Sequence, residues 1–280
     1  MTFDRAYLKK DAQAAMRGYK PNPIGVAAVY LVICYILQGL TLRVNHFFEN
    51  YSELMSALMN GYYPFIQSPT AADQLIGIVI NIAIIMLAVG FSIFCMHVSR
   101  AQKGGFEDIF GAFTTFFRYF GLAFVMGIFI CLWSLLLIVP GIIAAYRYRL
   151  AIYLAIDHPD WDIMQCINES KRLMYGHKGK AFVLDLSFIG WGILTGMTWG
   201  ILGIWTAPYI GITNVRFYEW VLAANGESYI PSDGAAPKNY EPVEADGSEP
   251  TSPPPELPDS AGDTDNSGEG GNNDGDSFWK

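Results

Sequence analysis

The sequence predicts an all-α fold: a polytopic transmembrane helical bundle of about six spans, with amphipathic interfacial helices and a disordered C-terminal tail. Three observations predict it. Runs of about 20 apolar residues, the length that crosses a ~30 Å hydrocarbon core, recur between residues 24 and 224. Charged residues make up 16% of the chain and hydrophobic ones 52%, whereas a soluble domain carries roughly 25% charged residues. Lys and Arg gather at the ends of the apolar runs instead of forming one patch, so the footprint of a nucleic-acid-binding protein is missing.

The net charge of −8 hides two regions. Thirteen acids and two bases lie in 227–280, which leaves 16 bases and 13 acids in 1–226. The chain therefore divides into an integral membrane helical domain, 1–225, and an acidic cytoplasmic tail, 226–280. The tail is mostly Pro, Gly, Ser, Asp and Glu. That composition cannot bury enough surface to offset ordering entropy, so disorder is expected there.

Residues 1–20 are basic, and Leu8, Ala12, Ala15, Met16 and Tyr19 recur at helical spacing, which predicts a short helix lying on the headgroups. Pro21 and Pro23 end it. The first span follows at 24–42, and nothing resembling a signal-peptidase site closes it, so it should stay attached. The loop after it holds Arg43 as its one base, an apolar helical stripe (Phe48, Tyr51, Leu54, Met55, Leu58) and the interface-suited Tyr62, Tyr63 and Phe65. The second span is 75–98. After Gly104 and Gly105, the side chains of Phe106, Ile109, Phe110, Phe113 and Phe117 share one helical face. This predicts a helix lying flat at the membrane.

The third span is 119–139. Pro140 and Gly141 predict a tight break before a short fourth span, 141–156, that contains Arg147 and Arg149. Asp157, His158, Pro159 and Asp160 read as the start of a helix, with Lys171 and Arg172 in its last turn and Gly176 as its stop. The fifth and sixth spans are 181–197 and 201–224, the latter with Pro208 as a kink. A cytoplasmic N-terminus puts the bases of 1–20, 100–118 and 171–180 on the cytoplasmic side. Six spans then return the C-terminus to the same side. If 141–156 failed to cross, Lys171, Arg172, Lys178 and Lys180 would lie outside.

Ionised groups inside spans are expensive and mark the first place to look for a site. Arg147, Arg149, Asp185 and Arg216 are those groups here, and Asp185 is expected to pair with Arg149, Arg147 or Arg216. Arg147 and Arg149 lie about 200° apart on a helix, so one partner cannot face both. The surplus positive charge suits an anionic lipid headgroup. Gly192, Gly196 and Gly200 repeat at the spacing that lets helices approach closely in lipid. The readings of that stripe are packing within the chain and a face for a second copy.

Chemistry beyond this has little support in the sequence. His46, His97, His158 and His177 are isolated, and Cys34, Cys95, Cys131 and Cys166 are scattered, so neither set has metal-ligand spacing. Nucleotide and nucleophile-elbow motifs are lacking as well. No catalytic residue, metal or cofactor is expected.

Three stretches carry a family likeness: LWSLLLIVPGIIAAYRYRLAIYLAIDHPD from Leu132, ESKRLMYGHKGKAFVLDLSFIGW from Glu169, and IWTAPYIGITNVRFYEWV from Ile204. The most specific pattern is Ser170, Leu173, Met174, Gly176 and Lys178, followed by LDLSFIGW at 184–191. Over about 130–222 the chain resembles the bacterial integral-membrane family catalogued as domain of unknown function 975. The resemblance implies a multi-span plasma-membrane protein, mostly of Gram-positive bacteria, with no established reaction and no catalytic residues to carry over. Two functional classes follow. The first is a non-enzymatic component that binds or moves a lipid or small amphiphile. The second is a scaffold that recruits a protein partner or a further copy through its amphipathic helices and acidic tail.

Overall fold

The computed structural model describes residues 3–227, so the expected disorder of the tail lies outside the described residues from 228 onward. Every regular element among them is a helix. Helix α1 is Arg5–Met16, α2 is Pro23–Val44, α3 is Phe47–Asn60 and α4 is Ala71–Ser99. Helix α5 is Phe106–Gly111, α6 is Phe116–Leu136, α7 is Ile138–Tyr148 and α8 is Ala151–Asp157. Helix α9 is Ile163–Leu173, α10 is Lys178–Leu186, α11 is Ile189–Met197 and α12 is Gly203–Ala224.

Among the described residues, five stretches are long and apolar enough to cross a membrane: Pro23–Val44, Ala71–Ser99, Phe116–Leu136, Ile138–Asp157 and Lys178–Met197. Helix α12 matches them in length at 22 residues, but Asn214, Arg216 and Glu219 lower its hydropathy. Its position explains why that is tolerated. Ile212, Thr213, Val215, Phe217, Tyr218 and Val221 are fully buried, and α12 packs against α1, α2 and α4. It is the axle of the bundle and meets protein more than lipid.

Local chemistry sets the helix ends. The Asn22 side chain accepts the Ile24 N–H at 3.0 Å, with Pro23 in the first turn of α2. Thr70 and Asp73 form a capping box at the start of α4, satisfying donors that the helix itself leaves open. Helix α1 departs from expectation. Leu8 and Ala12 are buried against α12 and α4, so protein rather than headgroups covers its apolar stripe. The Lys9 ammonium donates to the Ser187 carbonyl at 3.2 Å and sits over the Phe188 ring. Burial, with Arg5 nearby, lowers its pKa.

Helix α5 is short, and it packs against α4. A Cβ added at Gly90 would lie 2.0 Å from the Ile109 carbonyl oxygen. That contact stands about 14 Å along α4 from its end. Ile109 is buried, while Phe106, Phe110, Phe113 and Phe117 point outward.

The turn between α6 and α7 falls at Leu137, whose backbone is extended, three residues before the expected break at Pro140. Proline starts a helix here because the N–H groups of a first turn have no acceptor within the helix. A side chain at Gly141 would strike Ser134, so glycine closes this hairpin.

Asp157 to Asp160 also differ from expectation. They end α8 and do not open α9, whose N-cap is Asp162. The Arg118 guanidinium donates to the carbonyls of Ala155 at 3.2 Å and His158 at 2.5 Å, and also to that of Pro159. It takes the place of the helix continuation.

The fourth span breaks between α7 and α8, and a side chain fills the break. Ser170 Oγ donates to the Arg147 carbonyl at 2.8 Å and accepts the Leu150 N–H at 3.2 Å. A hydroxyl inserted into the ladder is a known cause of kinks. Ser170 is fully buried, so Ser170→Ala strands a buried N–H and a buried carbonyl. The expected loss is about 1–3 kcal/mol, measurable by unfolding the purified protein in mixed micelles of increasing SDS content. An unchanged midpoint would mean that the kink does not need the hydroxyl.

Candidate intramembrane charge site

Arg149 leaves the end of α7 and meets Asp185 on α10 with both of its terminal nitrogens, at 2.5 and 2.8 Å. The second of these also donates to Asn214 Oδ1 of α12 at 2.9 Å. Tyr146 O–H donates to the same carboxylate at 2.9 Å. Planar two-point contact is the strong geometry for a guanidinium and a carboxylate. Arg149, Asp185 and Asn214 join three helices, with Tyr146 adding a second donor to Asp185 Oδ2.

These groups line a cleft of about 440 Å³ together with Ala145 and Tyr153. The two charges are placed unequally. The Arg149 side chain is 17% exposed and the Asp185 side chain 38%, so the carboxylate faces the opening and the guanidinium lies behind it. Counting along the helices, Arg149 is about 12 Å from the end of α8 and Asp185 about 10 Å from the start of α10. Both fall well inside the apolar segments.

Of the four residues expected together, the structure joins Arg149 and Asp185 only. Arg147 is half-buried, and no described carboxylate pairs with it. Arg216 belongs to a second network at the same end of the bundle. Its Nε lies 2.8 Å from Asp11 Oδ2 and its Nη1 3.0 Å from Glu219 Oε2. Glu219 Oε1 is 3.1 Å from Arg100 Nε. Arg100 grips Asp157 through both terminal nitrogens at 2.6 and 2.9 Å, and Tyr218 O–H donates to Asp157 at 2.8 Å. Arg100 and Asp157 are 8% and 5% exposed. This chain of charges ties α1, α4, α8 and α12 together.

Sequence reasoning had no route to Arg100 and Asp157 as partners, because each reads as a loop charge beside a span end. Asn214 and Tyr146 were also missed. A signal for both was present: each is a polar side chain in an apolar run. The glycine stripe is open at Gly192 and Gly196, where a Cβ meets nothing within 4 Å, but at Gly200 a Cβ would strike the Tyr35 hydroxyl; no residue of α11 is buried.

The histidines are occupied singly. His97 Nδ1 lies 2.9 Å from Asp108, and His158 stacks on Trp161 at 3.9 Å between centroids. His177 sits edge-on to Trp220, where burial and Lys180 lower its pKa. Among the described residues, no group of three or more His, Cys, Asp or Glu could hold a metal ion.

Residues 135–225 match the model of the family described as Protein of unknown function (DUF975). The match runs from the end of α6 through α12, and takes in Arg147, Arg149, Asp185, Asn214, Arg216 and Glu219. The resemblance carried by the motifs at 170–178 and 184–191 therefore holds. No curated protein and no solved structure matches the chain.

Proposed function

We propose that this protein is a non-enzymatic, multi-pass component of the plasma membrane that binds or moves a lipid or small amphiphile through the Arg149–Asp185 cleft. Both termini are cytoplasmic in this reading, and α12 completes the sixth passage. The observation that carries it is the exposed Asp185 carboxylate, held at an intramembrane depth on the wall of a cleft. An ion pair kept purely for structure is expected to face the packed interior of the bundle, whereas a span charge facing a cavity marks a ligand or ion path. This one instead turns its acid toward the opening. A headgroup hydroxyl or amine donates to Asp185, while a phosphate is drawn by Arg149 behind it.

Asp185→Asn keeps the shape and removes the charge. Lipid copurifying with the protein, measured by mass spectrometry, should fall about tenfold, which corresponds to the loss of one charge-assisted hydrogen bond. The same lipid at the same level in a variant that melts like the wild type would reject the cleft as its site. Reporter fusions after His158 and after Ala224 test the topology separately. Both should report the cytoplasm, and an external signal from either excludes six passages.

A further inference from the structure

A second cleft lies toward the far end of α2, about 20–30 Å from the end of that helix that adjoins α1. It measures about 470 Å³ and is lined by Ile36, Gly39, Leu40 and Arg43 of α2 with Phe48 and Glu49 of α3. We infer that it binds one phospholipid with a phosphoethanolamine headgroup, its phosphate on Arg43, its ammonium on Glu49 and one acyl chain in the groove at Gly39.

The groove follows from spacing on α2. Ile36, Gly39, Leu40 and Arg43 stand at i, i+3, i+4 and i+7, so they form one stripe along a helix face. Gly39 leaves a gap in that stripe, since a Cβ there would meet nothing within 4 Å. Ile36 and Leu40, 60% and 47% exposed, are its apolar walls. Phe48 of α3 adds a further apolar wall. The groove runs along a helix that is long and apolar enough to span the membrane, which is where an acyl chain lies.

The stripe ends in a cation, and the facing helix supplies an anion. Among the described residues neither Arg43 nor Glu49 is in an ion pair, although both line this cleft. Arg43 is in the last turn of α2 and Glu49 in the first turn of α3, so each charge sits where its helix dipole favours it. Two opposite charges held apart across an apolar floor match a zwitterion with a phosphate at one end and a compact N–H donor at the other. A guanidinium takes phosphate through paired hydrogen bonds. A carboxylate forms charge-assisted hydrogen bonds with the N–H groups of an ammonium, which choline lacks. The site is separate from the Arg149–Asp185 cleft and does not depend on it.

The test is native mass spectrometry of the full chain released from nanodiscs that contain phosphatidylethanolamine, phosphatidylcholine and phosphatidylglycerol in equal amounts. Retained phosphatidylethanolamine should exceed phosphatidylcholine about tenfold, the discrimination of one charge-assisted hydrogen bond. Gly39→Leu fills the groove and Arg43→Gln removes the phosphate contact. Each should abolish that retention while the melting temperature stays unchanged. Glu49→Gln should leave retention but make the two lipids equal, and Asp185→Asn should leave the preference intact. Soluble glycerophosphoethanolamine should not compete. Equal retention of the three lipids, or a preference that survives Gly39→Leu and Arg43→Gln, overturns the assignment.

Discussion

Arg100→Ala is expected to destabilise the protein by about 3–5 kcal/mol, the cost of removing one partner from a buried ion pair. The reason is what stays behind. Asp157 is 5% exposed and Glu219 21%, and both lose the guanidinium that they share. Tyr218 still donates to Asp157 and Arg216 still holds Glu219, but neither replaces a two-point contact. Lysine at this position keeps the charge and loses the planar fork, so Arg100→Lys should recover only part of the difference. The measurement is again unfolding in mixed micelles of increasing SDS content. A midpoint within experimental error of the wild type would mean that Asp157 is solvated or protonated in the native protein, and that the network contributes nothing.

This network also explains what the sequence could and could not reveal. The spans were legible because hydrocarbon imposes a length and a composition on each segment separately. For the same reason, Asp185 and Arg149 stood out as the charges to examine, since each breaks an apolar run from within. Their partners are a different matter. Asp185 had three candidate arginines, and only the packing of α7, α10 and α12 selects Arg149. Arg216 pairs with Asp11, 205 positions earlier in the sequence by their numbers. No helical periodicity reports such a contact.

Ser170 illustrates a subtler failure. It stands in the family-like pattern at 170–178, but its work is to bridge the Arg147 carbonyl of α7 and the Leu150 N–H that precedes α8. Helix α1 failed for a related reason. An amphipathic stripe looks the same whether headgroups or α12 will cover it.

Gly90→Ala separates these levels most cleanly, because local propensity and packing give opposite signs. In a helix interior alanine is better than glycine by about 1 kcal/mol, and Gly90 lies well inside α4. The added Cβ, however, would lie 2.0 Å from the Ile109 carbonyl oxygen, 2.5 Å from its carbon and 2.8 Å from the Asp108 carbonyl oxygen. All three are backbone atoms, so no rotamer change relieves the clash. Helix α5 must move off α4, taking with it buried Ile109 and the contact between His97 and Asp108. Overpacking of this kind costs about 1–3 kcal/mol or more, and it should outweigh the propensity gain. Gly77→Ala on the same helix is the control. A Cβ there meets nothing within 4 Å, so propensity acts alone and that variant should be at least as stable as the wild type. Hydrogen exchange should then show faster exchange across Phe106–Gly111 in Gly90→Ala and wild-type rates in Gly77→Ala. Matching exchange in the two variants would mean that α5 is not seated on α4 at Gly90.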